Sequence, residues 1–161
     1  MVIVVFGVTG TGKTRVGRAL AEALGWAFLD ADDFHEEANL NKLSRGIPLN
    51  DEDRWPWLTR LRAIIQESLT QRRNAVLACS ALKRAYRRYL GVSPEVVFVY
   101  LRTETHVLEE RLKRRRGHFA NAVLLQSQLE TLEEPLDDTL TIETTHSPVK
   151  IVGMIRDALK L

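Results

Sequence analysis

Eight consecutive residues constrain this chain more than any others: Gly7-Val8-Thr9-Gly10-Thr11-Gly12-Lys13-Thr14. They satisfy the pattern G-x-x-x-x-G-K-[ST]. They follow the apolar, β-branched run Val2–Phe6 and precede a stretch in which Val16, Ala19, Leu20, Ala23 and Leu24 recur at helical spacing up to Gly25. Glycines let the backbone curl until several N–H groups point at one phosphate, and the helix start adds a favourable dipole. Gly7, Thr9, Gly10, Thr11 and Gly12 would form that cradle. Lys13 would bring a cation to the β and γ phosphates of ATP, and the Thr14 hydroxyl would ligate Mg²⁺.

The rest of the chain repeats the alternation of strand and helix. Apolar runs predict strands at 27–29, 75–79, 96–101 and 139–143, making five with the first. Between them lie helical patterns over 34–45 and 83–90, and one capped by Asp53 with a stripe of Leu58, Leu61, Ile65 and Leu69. Two more span 103–115 and the stretch after Gly117 as far as Leu132, and Ser147-Pro148 opens a last helix. Right-handed crossovers turn this order into one three-layer α/β domain over 1–161, with a parallel sheet and a helical lid at about 113–128. Ligands in such sheets bind at the carboxyl ends of the strands, so the segments after Phe6, Leu29 and Cys79 are expected to meet.

Composition narrows the partners. The 23 basic and 21 acidic residues leave a net charge of only +2, which argues against a nucleic-acid partner. Arg111-Leu112-Lys113-Arg114-Arg115-Arg116 is the one basic run, and read alone it is a solvated helix face or a nucleic-acid patch, the second disfavoured by the overall charge. The first apolar run is too short to span a bilayer, so no membrane partner is expected. A single cysteine, Cys79, allows no internal disulfide and suits a reducing cytoplasm.

Among phosphate-loop proteins, a GTPase would need a guanine-reading N-K-x-D segment, and Asn41-Lys42-Leu43-Ser44 lacks the aspartate. Small size points to kinases of nucleotides and metabolites. Asp30-Ala31-Asp32-Asp33 sharpens this. Carboxylates near a triphosphate repel it unless Mg²⁺ intervenes or one has a chemical task. A hydroxyl acceptor must lose a proton, so a positioned aspartate is useful, and Asp32 is the candidate with Asp30 as orienter or cap. The alternative is that all three acids merely cap the next helix. Arg54, beside Asp51 and Asp53, reads in isolation as a salt-bridge partner.

Several blocks together resemble the gluconate kinase (gluconokinase) family. Asp30 to His35 is similar to its D-x-D-x-x-H segment, and residues 49–58 to its L-N-D-x-D-R-x-P-W-L block. Cys79-Ser80-Ala81-Leu82-Lys83 with Tyr86 and Arg87 resembles C-S-A-L-K-x-x-Y-R. Gly117-His118-Phe119, Leu124-Leu125-Gln126-Ser127-Gln128 and Leu132-Glu133-Glu134-Pro135 complete the series. Departures are small: threonines at 9, 11 and 14 where serines are common, Ala31 for a frequent Gly, and Glu36 for a frequent Pro.

The resemblance implies an ATP- and Mg²⁺-dependent kinase that forms 6-phosphogluconate from gluconate. It implies Lys13, Asp32 and Arg115 as catalytic residues, with Arg111 on phosphate or adenine. It also implies His35, Arg54, Ser80, Ala81 and Lys83 around a small sugar acid, and a homodimer. Two rivals stay open: a kinase for a shikimate-like or nucleotide acceptor, and a nucleotide-binding regulator without catalysis.

Overall fold

The computed structural model describes residues 1–114, 118–136 and 138–161, with the side chains of 118–120 left aside. Five parallel strands run β1 (Val2–Phe6), β2 (Ala27–Asp30), β3 (Ala75–Cys79), β4 (Val96–Arg102) and β5 (Leu140–Glu143), in the spatial order β2-β3-β1-β4-β5. β1 is central and buried on both faces, which is why it reads as an unbroken apolar run.

Helices cover the two faces. On one side, α1 (Lys13–Leu24) and α7 (Pro148–Leu159) bury Val16, Leu20, Ile151 and Ile155 against Ile3 and Val5. On the other, α3 (Asp51–Thr70) and α4 (Arg84–Leu90) bury Leu58, Leu61, Ile65 and Tyr86 against Val4 and Phe6. Each fully buried side chain of this size contributes roughly 1.5–3 kcal/mol before entropy is counted. A third, smaller core joins Val8 and Leu82 to Leu108 and Leu112 of α5 (Thr105–Lys113) and Leu125 of α6 (His118–Thr131). This third core packs two helices around the phosphate loop.

Register positions the chemistry. Phe6 stands opposite Cys79 on one side and Tyr100 on the other, and Asp30 opposite Ala78. The segments beginning at Gly7, Ala31 and Ser80 therefore leave one edge of the sheet together, as the sequence pattern predicts.

Two local expectations need correction. Residues 34–45 are not one helix: Ala31–Phe34 form a 3₁₀ turn, His35 and Glu36 are extended, and α2 covers Glu37–Ser44. The Asp30 carboxylate caps the short turn by accepting the Asp32 N–H at 3.1 Å, and the extended pair then resets the chain direction. The cap of α3 is Asn50, not Asp53. Its side chain accepts the Asp53 N–H at 2.8 Å, while the Asp53 carboxylate accepts the Asn50 N–H at 3.1 Å. This reciprocal pair satisfies two helix-end donors at once.

Asn50→Ala is expected to lower stability by about 1 kcal/mol through loss of that cap. A urea titration followed by far-UV circular dichroism measures it, and an unchanged midpoint would show that water replaces the cap at no cost.

Candidate active site

The loop after β1 has the backbone that phosphate binding requires. Gly10 and Gly12 take φ of 87° and 95°, values that side-chain-bearing residues rarely adopt. A Cβ at Gly7 would lie 2.7 Å from the Leu101 carbonyl oxygen, so the loop can leave the sheet only through glycine. The Val8 carbonyl accepts the Thr11 hydroxyl at 3.0 Å and the Lys13 ammonium at 2.9 Å, which holds the loop closed on itself. Gly12 caps α1, so the positive end of that helix opens at Lys13 and Thr14.

A cavity of about 560 Å³ extends from this loop across the sheet edge. Thr9, Gly10, Gly12, Lys13 and Thr14 line it from the loop, and Asp30, Asp32, His35, Arg54 and Ser80 line it from the neighbouring segments. Gly7 and Thr11 shape the loop from behind. Of the remaining sequence-nominated residues, Ala81 is fully buried behind Ser80. Lys83 faces an adjoining recess of about 500 Å³ that shares Leu49 and Arg54 with the main cavity.

Asp30 and Asp32 have different surroundings. Asp30 accepts the Thr14 hydroxyl at 2.8 Å as well as the Asp32 N–H. It is thus both cap and orienter of Thr14. Asp32 reaches solvent through the cleft, yet crowding by cleft walls pushes its carboxyl above the usual carboxylate range. The Asp30 charge pushes the same way, Lys13 opposes it, and Asp33 adds a smaller push upward. A carboxylate with a raised pKa beside a phosphate loop can take a proton from a hydroxyl more readily than an ordinary aspartate.

The opposite wall is built around Arg54 and His35. Arg54 is buried but pairs with neither Asp51 nor Asp53, the salt bridge that its sequence neighbours suggest. Each acid takes a lysine instead: Asp53 pairs with Lys42 at 2.8 Å and Asp51 with Lys83 at 2.9 Å. The Arg54 guanidinium donates to the Tyr86 hydroxyl at 3.4 Å, and that hydroxyl donates in turn to Asp51. His35 stacks on Trp57 at 4.4 Å between ring centroids, and Trp57 anchors itself by donating to the Ala31 carbonyl at 2.7 Å. Burial, then the nearby Arg54 charge, push the His35 pKa down to about 4. The imidazole is therefore neutral near pH 7. Cys79 lies in the cavity floor with its thiol pushed up to about 12 by burial, which excludes it as a nucleophile.

Sequence reasoning treats Arg111 as a phosphate or adenine contact. In the structure its guanidinium donates to the Gly10 carbonyl at 3.3 Å and to the Thr144 carbonyl at 3.0 Å. It braces the loop from outside the main cavity. Arg115 and Gly117 lie outside the described residues. Arg15 and Arg18, which line the cavity from α1, were missed, and Gln128 of α6, whose Oε1 accepts the Thr9 N–H at 2.7 Å, entered only as part of a family block with no role of its own. The i, i+4 step from Thr14 to Arg18 is a visible signal for α1; the Gln128 contact spans 119 residues and has none.

Comparison with known proteins shows the family. The family model for shikimate kinase matches residues 9–159. The chain is 47% identical over 158 residues to a gluconokinase of Gluconobacter oxydans, covering 96% of this chain and 89% of that one. The chain belongs to the gluconokinase family. A probable gluconokinase of Xenopus tropicalis is 46% identical over 151 residues, with 84% and 80% covered. Among solved structures, a gluconokinase from Sinorhizobium meliloti superposes with a TM-score of 0.82 at 43% identity, covering 98% of this chain and 94% of its own. A sugar kinase from Janibacter gives 0.89 at 39% identity, with 99% and 94% covered. Shikimate kinases and an adenylylsulfate (APS) kinase from Mycobacterium tuberculosis share the fold at lower identity.

The gluconokinase blocks after β3 carry a structural device. Arg87 donates to the Ala81 and Leu82 carbonyls at 2.8 and 2.9 Å and to the Glu133 carbonyl at 2.7 Å. Ala81 holds an unusual φ of 40°, and Arg87 secures the turn that Ser80 leaves. Arg87→Met keeps the stem but strands the Ala81 and Glu133 carbonyls, while Leu82 keeps the Glu133 N–H, so a loss on the order of 2–3 kcal/mol is expected. Chemical denaturation checks it; a loss under about 1 kcal/mol would mean that water enters the site.

Proposed function

We propose that this protein transfers the γ-phosphoryl group of ATP to the primary hydroxyl of D-gluconate, giving 6-phospho-D-gluconate and ADP. One observation carries the reading: Lys13, Asp32 and Arg54 line a single cavity at the sheet edge. The relatives named gluconokinase support the choice of acceptor.

Each residue has a task in this reaction. The loop N–H groups and Lys13 hold the β and γ phosphates in line with the acceptor. The hydroxyl oxygen attacks the γ phosphorus, the bond to the β–γ bridging oxygen breaks, and ADP leaves with the electron pair. The hydroxyl proton passes to Asp32. Arg54 grips the acceptor carboxylate with a bidentate fork, while neutral His35 and Ser80 bond its hydroxyls. Lys83 adds a positive charge at the adjoining recess.

The donors around Thr14 suit Mg²⁺, a hard cation that takes few protein ligands beside phosphate and water oxygens. Thr14 would hold it directly, with Asp30 behind the hydroxyl at 2.8 Å. Bound there with the nucleotide, the ion neutralises charge on the phosphates. Arg115 would add a cation at the transferring group by family resemblance, with 113–128 closing as a lid over the site. Cytoplasmic location and a homodimer belong to the same reading, with neither nucleic acid nor membrane as partner. No helix of the described residues is long and apolar enough to cross a membrane. The match to the shikimate kinase family model keeps shikimate as the rival acceptor to be tested.

ADP release is expected with gluconate far above that with glucose, shikimate or AMP. Arg54→Lys is expected to lower kcat/KM for gluconate by ~10-fold or more, because an ammonium cannot form the fork. Preference for glucose, or indifference to the substitution, would overturn the carboxylate clamp.

Asp32→Asn is expected to reduce kcat by about 10²–10⁴. The acid side of the kcat/KM profile tests the proton's destination. The base works only when ionised, so activity is lost as pH falls through its raised pKa, above the ordinary 3.8. Asp30→Asn removes a charge that raises this pKa, and the acid limb is expected to move to lower pH. A limb that stays in place would assign the titration to another group.

A further inference from the structure

Gln128 meets the phosphate loop from the far side of the cavity. A backbone N–H can only donate, so the 2.7 Å contact with Thr9 fixes which end of the amide faces the loop. It is the oxygen. The Nε2 group, which can only donate, has no acceptor among the described residues, and Gln128 lines the main cavity beside Leu124 and Ser127.

Packing holds this amide in place. Leu125 and Leu129 occupy one stripe of α6 and pack into the third core with Leu132 just past its end, which sets the rotation of the helix. Its end is pinned as well: the Glu133 N–H donates to the Leu82 carbonyl at 3.0 Å, and the Glu133 carboxylate accepts the Arg84 N–H at 2.7 Å. A glutamine fixed at both its backbone and its oxygen loses little further freedom on binding, so its remaining donor is preorganised.

We propose that Gln128 is an acceptor-binding and specificity-determining residue. Its Nε2 donates to an oxygen at the hydroxyl end of the sugar acid, where the acceptor meets the phosphate loop. Thr9 N–H orients the amide from the other side. The role rests on the acceptor reading above. A neutral donor suits this place, because the cavity already holds Lys13, Arg15, Arg18 and Arg54 against Asp30 and Asp32. It selects a polyhydroxyl chain without adding charge near the transferring phosphoryl group.

Gln128→Glu separates this role from a simple latch between α6 and the loop. The carboxylate keeps an oxygen for the Thr9 N–H but deletes the donor. KM for gluconate is expected to rise about tenfold, the effect of one lost hydrogen bond. The added carboxylate would also repel phosphate, so nucleotide affinity is read on the neutral Gln128→Met. There the Kd of a non-hydrolysable ATP analogue, measured without acceptor, is expected to change less than about threefold. The Tm of Gln128→Glu is expected to stay at the wild-type value. Gln128→Met, neutral and of similar length, is expected to show the same rise in KM. A latch alone predicts wild-type KM in Gln128→Glu and loss only in Gln128→Met, and that pattern would overturn the proposal. An equal weakening of nucleotide and gluconate in Gln128→Met would overturn it too, by assigning Gln128 to the loop's shape. Wild-type enzyme without gluconate turnover in the same assay would refute the acceptor reading itself, and this role with it.

Discussion

The site depends on the register of β1 with its neighbours. Because Phe6, Asp30 and Cys79 finish their strands side by side, a phosphate loop, an acidic turn and an acceptor loop start from one line. A parallel sheet can produce this only if β1 is central, and its central place demands apolar side chains on both faces. Slipping any of these pairs by one residue would turn its side chains to the opposite face of the sheet and move its loop away from the others.

Around that line the molecule spends polar contacts on holding backbone in place. The Val8 carbonyl gathers Thr11 and Lys13, the Gly10 and Thr144 carbonyls gather Arg111, and the Ala81, Leu82 and Glu133 carbonyls gather Arg87. Cations thus do two kinds of work. Arg87 and Arg111 brace loops from behind, while Lys13 and Arg54 line the cavity. Arg54 can do so because Lys42 and Lys83 occupy the carboxylates beside it in sequence.

Local signals made much of this legible. The strands, the phosphate loop and the pairing of Asp30 with a cap were visible because each is written within a few adjacent residues. The break after Phe34 was not, because the helical period continues through residues that the Asp30 cap and the extended pair His35-Glu36 remove from the helix. Asn50 was passed over for Asp53 because both are good caps, and only the reciprocal bonds distinguish them. The pairings around Arg54 and the phosphate loop lay beyond reach for another reason. Lys83 is 32 residues from Asp51, and Gln128 is 119 from Thr9, so no spacing rule connects them.

The stitching by Arg87 also bears on how such chains can be recombined. Its guanidinium and the groups of Glu133 tie the stretch from Ser80 to Arg87 to the end of α6, although 46 residues separate Arg87 from Glu133. A chimera that exchanged only one of these stretches with a relative would join mismatched halves of one hydrogen-bonded seam. The two stretches act as one structural unit split along the chain, so losing the side chain of Arg87 or Glu133 loosens both.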